Sequence, residues 1–98
     1  KFNKKIINIH PSLLPKYKGL NTHKRVIKNK EKYSGCTVHF VTEKLDSGKI
    51  ILQDRVKIFK SDNPQPLAKK ILILENKIYP KAIDLILSKI WRKNLFQF

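Results

Sequence analysis

Apolar residues first gather at Ile6, Ile7 and Ile9, in a run that stops at Pro11. Residues 5–9 read as a buried strand. Two prolines and a glycine make 11–19 turn-rich. Asn21 or Thr22 can cap a short helix that runs to about Asn29, with Val26 and Ile27 as its apolar contacts. Residues 28–32 are a charged connection. From 36 to 41 β-branched and aromatic side chains alternate. Cys36, Val38 and Phe40 fall on one face, and Thr37, His39 and Val41 on the other. Residues 42–48 read as a loop and 49–59 as a third strand, where Val56 and Ile58 alternate with lysines.

Ser61-Asp-Asn-Pro64 signals a helix start. Beyond it Leu67, Ile71, Leu74, Ile78, Ala82 and Leu85 recur at spacings of three and four, an amphipathic stripe. Pro80 lacks the N–H that would bond the Asn76 carbonyl, so a kink or split is expected there. Residues 91–98 read as a tail with a hydrophobic anchor. The order β-α-β-β-α predicts one α/β sheet domain. The first strand should be central, with the site at its carboxyl end, as in open α/β sheets.

Composition narrows the function classes. The chain has 98 residues, of which 41% are hydrophobic, enough for one modest core. No apolar run approaches the roughly 20 residues of a membrane helix, and no secretory signal pattern opens the chain. Cys36 is the single cysteine, which excludes an internal disulfide and fits a reducing, cytoplasmic setting. The net charge of +15 suggests a polyanion partner. However, the basic residues are mostly scattered lysines, and only Arg25, Arg55 and Arg92 are arginines. With no aromatic RNA-binding signature and no zinc-finger spacing, a lysine-biased solvated surface is the simpler reading. The same positive field would also attract small anions.

The chemistry-bearing residues start with Asn8 and His10. Side chains i and i+2 of a strand project the same way. A fixed amide donor and a proton-exchanging ring would therefore stand together at a strand end, a suitable pair for a developing oxyanion and a proton. Taken singly, Asn8, His10 and Asp46 each read as ordinary turn residues that satisfy backbone groups. The strings around them are more specific. Asn8-Ile-His10-Pro-Ser-Leu-Leu-Pro-Lys-Tyr17 is followed by Gly19-Leu-Asn-Thr-His23, Gly35-Cys-Thr-Val-His-Phe-Val-Thr42, Leu45-Asp-Ser-Gly48, Ile51-Leu-Gln53 and Glu75-Asn-Lys-Ile-Tyr-Pro80.

In this order the blocks closely resemble the formyltetrahydrofolate-dependent formyltransferases, over about residues 6 to 83. The Pro-Ser-Leu-Leu-Pro-Lys-Tyr and Ile-Tyr-Pro contexts point to the branch that formylates glycinamide ribonucleotide in purine synthesis. The resemblance implies that residues 1–98 are the C-terminal catalytic part of a single Rossmann-like domain. The N-terminal half, with the loop for the substrate phosphate, would be missing. The Lys1 start and the lack of methionine agree with that expectation. The 98 residues alone are then expected to show negligible turnover.

The resemblance also implies residue roles. The amine of glycinamide ribonucleotide would attack the formyl carbon of 10-formyltetrahydrofolate, placing negative charge on oxygen. Asn8 would donate to that oxyanion and contact the folate formyl group, and His10 would be the proton donor. Asp46 would raise the pKa of His10, since a carboxylate beside an imidazole favours its charged form. His39 and Glu75 would line the substrate site, Glu75 at the ribose. Thr42, Glu43, Lys44 and Leu45 would enclose the folate pterin, largely through backbone. Leu72 departs from a polar residue that some members use to hold substrate. The Leu14-Pro15 bond matches an X–Pro bond expected to be cis.

Other positions read as structural. His23 is a packed histidine, Cys36 is core, and Ser12 lacks the Gly-x-Ser-x-Gly elbow of a serine hydrolase. Three histidines without clustered cysteines predict no metal site. Two other functions compete. A formyltetrahydrofolate deformylase, or another formyltransferase, would keep the chemistry and change the acceptor. A basic nucleic-acid-binding module would bind in a salt-dependent way and be indifferent to His10→Ala.

Overall fold

The computed structural model of the chain describes residues 6–95, without the side chains of 90–95. Its elements are β1 (Ile7–His10), α1 (Thr22–Lys28), β2 (Tyr33–Phe40), β3 (Ile50–Lys57) and α2 (Pro64–Leu95). The order β-α-β-β-α and the mixed α/β class agree with the reading of the sequence.

The sheet order is β1-β2-β3, and both pairings are antiparallel. Among the described residues β1 is therefore an edge strand, not the central one expected. Nor is it a uniformly buried strand: Ile7 and Ile9 are half-buried, Asn8 is exposed and His10 is buried. Alternation of this kind is what a strand with two different faces requires.

One face of the sheet is apolar. Cys36 and Val38 are fully buried there against Leu67, Ile71, Leu74, Ile78 and Ala82 of α2, with Val26 of α1 closing the cluster. Ile7, Ile9, Leu52 and Val56 pack around it. Each large aliphatic side chain buried this way contributes roughly 1.5–3 kcal/mol. The opposite face carries Asn8, His10, Thr37 and His39. In register, Asn8 lies opposite His39, and His10 opposite Thr37.

Helix α2 is continuous through Pro80. The expected split is absent because Pro80 and Asn76 both lie on the exposed side, while Ile78 and Ala82 stay buried. Water can then satisfy the carbonyl that the proline leaves unbonded. The same helix continues to Leu95, so 91–95 are helical where a tail was expected, and 96–98 lie outside the described residues. Asn21 occupies the N-cap position of α1 but adopts a left-handed conformation, φ 57°, and its side chain makes no capping bond. No helix among the described residues is long and apolar enough to cross a membrane.

Candidate active site

The polar face of the sheet is organised around Thr37. Its hydroxyl donates to the Ser12 carbonyl at 2.7 Å and accepts from Leu14 N–H at 3.1 Å and from Gln53 Nε2 at 2.8 Å. Gln53 Nε2 also donates to the Leu14 carbonyl, 2.9 Å away. Ser12, fully buried, donates to the Lys16 carbonyl at 2.7 Å. These bonds fold the segment after His10 back over β2. The Leu14–Pro15 peptide is cis, as the resemblance implied.

The returning turn brings the Tyr17 carbonyl to 2.8 Å from His10 Nε2. On the other side of the ring, His10 Nδ1 lies 3.4 Å from Asp46 Oδ2. Both ring nitrogens thus face oxygen acceptors. A neutral imidazole has one N–H and can serve only one of them, whereas the imidazolium serves both. The ring and the carboxylate are each 8% exposed, so water screens the contact little.

Asp46 reaches this position from the loop between β2 and β3. It has φ 48°, in the left-handed region where aspartate and asparagine are better tolerated than most residues. Its Oδ2 also accepts the Gly19 N–H at 2.8 Å. Gly48 lets the loop lie close against β2, because a Cβ there would overlap the Phe40 carbonyl oxygen. A backbone bond from Phe40 N–H to the Lys49 carbonyl, 2.9 Å, closes the loop.

His39 is 3% exposed, donates through Nδ1 to the Phe40 carbonyl at 3.0 Å, and points Nε2 to within 3.9 Å of Asp46 Oδ1. That Nε2 has no hydrogen-bond partner among the described residues. Asp46 therefore stands between two imidazoles. Asn8 is exposed, and its side-chain amide makes no hydrogen bond among the described residues, so its donors are open. Glu75, half-buried on α2, lies within electrostatic range of His10. Burial pushes its carboxyl pKa up, and the His10 charge opposes that rise in part. Leu72, 55% exposed, sits one helical turn before it.

Thr42, Glu43, Lys44 and Leu45 are all exposed at the start of the same loop, Leu45 at 68%. The Thr42 hydroxyl donates to the Lys44 carbonyl at 3.2 Å, and Ser47 donates to the Leu45 carbonyl at 2.8 Å. The structure thus brings Asn8, His10, His39 and Asp46 onto one face, with Glu75 in range, and hangs 42–45 beside them. Sequence reasoning missed the Tyr17 carbonyl and the Gly19 N–H as partners of His10 and Asp46. Backbone partners leave no trace in residue type. The positive φ of Tyr17 (57°) and of Gly19 (84°) marks the turn that presents them.

Among the described residues no group of three or more His, Cys, Asp or Glu is placed to hold a metal ion. Cys36 lies on the far face of the sheet, and burial pushes its thiol up to about 12. It is neither nucleophile nor ligand in that form.

Comparison with known proteins identifies the family and the fold. Residues 1–83 match the Formyl transferase family. The chain is 46% identical over 88 residues to the bovine trifunctional purine biosynthetic protein adenosine-3, covering 90% of the chain and 9% of that protein. It is 44% identical over 80 residues to phosphoribosylglycinamide formyltransferase of Escherichia coli, covering 82% of the chain and 38% of the relative. In fold it is similar to the crystal structure of phosphoribosylglycinamide formyltransferase from Anaplasma phagocytophilum, with a TM-score of 0.82 and 46% identity. That match covers 85% of this chain and 41% of that one. The chain thus spans about two-fifths of the single-function relatives' length and under a tenth of the bovine protein's.

Proposed function

The chain belongs to the formyl transferase family, and from that premise we propose that it carries the catalytic centre for formyl transfer to the amine of glycinamide ribonucleotide, in purine biosynthesis. The observation that carries this reading is the buried contact of His10 with Asp46, beside an exposed Asn8 whose amide has no partner among the described residues. 10-Formyltetrahydrofolate would supply the formyl carbon. The exposed backbone of 42–45 would hold its pterin, and the open amide of Asn8 would meet its formyl oxygen.

As the substrate amine attacks, negative charge develops on that oxygen. Asn8 donates to it, a contact that strengthens as the charge grows. Losing one such donor costs about 2.7–4 kcal/mol of barrier. The His10 ring is held in place by its 2.8 Å bond to the Tyr17 carbonyl. Its second N–H faces Asp46 at 3.4 Å, beyond the usual hydrogen-bond range. His10 is the assigned proton donor. Asp46 stands beside the ring as its carboxylate partner, oriented by the Gly19 N–H on its Oδ2. Glu75 would accept from the ribose.

Residues 1–98 form, on this reading, the C-terminal catalytic part of one formyltransferase domain. The substrate-phosphate contacts would come from the part of the relatives that this chain does not match. Positioning supplies much of an enzyme's acceleration, so the 98 residues alone should turn over negligibly. The test joins them to the preceding segment of the Escherichia coli relative and follows folate absorbance. Transfer that requires glycinamide ribonucleotide supports the reading. Formate release independent of that acceptor would reject it in favour of a deformylase.

A further inference from the structure

The turn before α1 carries the two backbone groups that hold the His10–Asp46 pair. Tyr17 presents its carbonyl to His10 Nε2 at 2.8 Å, and Gly19 presents its N–H to Asp46 Oδ2 at 2.8 Å. Neither apolar packing nor backbone pairing fixes this turn. Lys18 and Asn21 are exposed, and Leu20 is 85% exposed. Among the described residues, residues 17–20 make no backbone–backbone hydrogen bond. Tyr17, Gly19 and Asn21 have φ of 57°, 84° and 57°. For Tyr17 and Asn21 that left-handed conformation is disfavoured, and it persists only where surrounding contacts over-determine the backbone.

One side chain supplies such contacts. Arg25, half-buried on α1, donates from Nε to the Leu20 carbonyl at 3.0 Å and from Nη2 to the Lys18 carbonyl. Its guanidinium also lies over the Tyr17 ring, 5.5 Å from the centroid. A basic residue in the last turn of a helix ordinarily serves that helix's own carbonyls. Arg25 is in the last turn of α1 and reaches back to the turn that precedes it. Its planar fork of donors suits two carbonyls presented side by side.

The base of the side chain is anchored, because the next residue, Val26, is 1% exposed in the core. Lys18 ties the same turn to the loop of Asp46, since its Nζ donates to Ser47 Oγ at 2.8 Å.

We infer that Arg25 is a positioning residue for the His10–Asp46 pair. It fixes the backbone of 17–20 through two carbonyls. Through that backbone it sets the Tyr17 carbonyl against His10 and the Gly19 N–H against Asp46. Its hydrogen bonds and its ring contact reach neither His10 nor Asp46 themselves. The effect on turnover rests on the formyl-transfer reading; the positioning does not.

The test is hydrogen exchange and proton NMR on the 98-residue chain. Two signals report on the turn: the Gly19 amide, and the His10 Nε2–H that donates to the Tyr17 carbonyl. Arg25→Ala should speed Gly19 exchange about tenfold, the scale of one lost charge-assisted bond. It should also broaden or remove the His10 ring signal. The Val38 amide, in the core, should keep its parent rate. Arg25→Lys keeps the charge and loses the fork, so it should fall between the two, and it gives the same reading if Arg25→Ala disturbs folding. In the joined enzyme Arg25→Ala should lower kcat about tenfold and leave KM for the ribonucleotide unchanged.

The inference is overturned if Arg25→Ala leaves Gly19 exchange and the His10 signal as in the parent, or if Val38 exchange rises as much as that of Gly19. It is also overturned if Arg25→Lys matches the parent, or if kcat holds while Gly19 exchange rises. Absence of formyl transfer by the joined parent would reject the transfer reading instead, and the exchange result would still decide the role of Arg25.

Discussion

Asp46 Oδ2 stands 3.4 Å from Nδ1 of His10, with both side chains 8% exposed, although one residue ends strand β1 and the other lies in the loop after β2. The contact is fixed from both ends. The Tyr17 carbonyl holds the far nitrogen of the ring, and the Gly19 N–H holds the carboxylate.

Asp46→Asn separates charge from shape. Asparagine also tolerates the left-handed φ of 48° and can still accept the Gly19 N–H. The variant should fold with little change in thermal midpoint. In the joined enzyme its kcat should fall on the order of 10²-fold or more, the usual scale for a lost acid–base partner. A large fall in melting temperature with kcat preserved would show that Asp46 is structural.

Thr37 is the buried junction of the polar face. Thr37→Val keeps volume but strands the Leu14 N–H and deprives the Ser12 carbonyl and Gln53 of their partner. Denaturant unfolding should show a loss of about 1–3 kcal/mol, the cost of leaving buried polar groups unmade. A neutral result would mean that water replaces the hydroxyl.

Glu75 carries the opposite sign. Burial raises its pKa above the ordinary 4.5, so the ionised form is disfavoured in the folded state. That penalty is fully present above the folded pKa and disappears as pH falls below the unfolded value. Glu75→Gln should raise the thermal midpoint at pH 7 by a few degrees, a change below about 1 kcal/mol. The gain should vanish near pH 4. The same variant should raise KM for the ribonucleotide if Glu75 contacts ribose. A lower midpoint at pH 7 would contradict the burial penalty.

Asp62 anchors the start of α2. It accepts Lys70 Nζ at 2.7 Å and the Phe59 N–H at 2.8 Å, and the Lys70 bond first, then the backbone bond, hold its pKa down. A depressed carboxylate pKa contributes stability above the unfolded value of about 3.8, lost as pH falls through the folded one. Asp62→Asn keeps an acceptor and loses the charge, so it should cost about 0.5–1 kcal/mol at pH 7. Urea midpoints of variant and parent should converge at pH 2. An unchanged gap there would place the effect elsewhere.

Much of this was legible in residue order. The period-two run at Ile7–Ile9 put Asn8 and His10 on one side, and the stripe Leu67, Ile71, Leu74, Ile78 marked the helix face that buries Cys36 and Val38. The family strings joined Asp46 to His10, which spacing alone could not. What was hidden depends on tertiary pairing. Strand direction is set by partners, so β1 at an antiparallel edge could not be read from its own residues. Pro80 reads as a breaker locally, yet its exposed position lets the helix pass. Thr37 looks like any β-branched strand residue until the turn from Ser12 to Leu14 folds onto its hydroxyl.

The central claim is that His10 and Asp46 act together in formyl transfer. The most direct measurement is turnover of 10-formyltetrahydrofolate with glycinamide ribonucleotide by the joined enzyme, in four forms: parent, His10→Ala, Asp46→Asn and the double variant. The account predicts that each single change removes most of kcat and that the double change costs little more, because residues acting as a unit are not additive. Independent, multiplying losses, or full activity without His10, would contradict it.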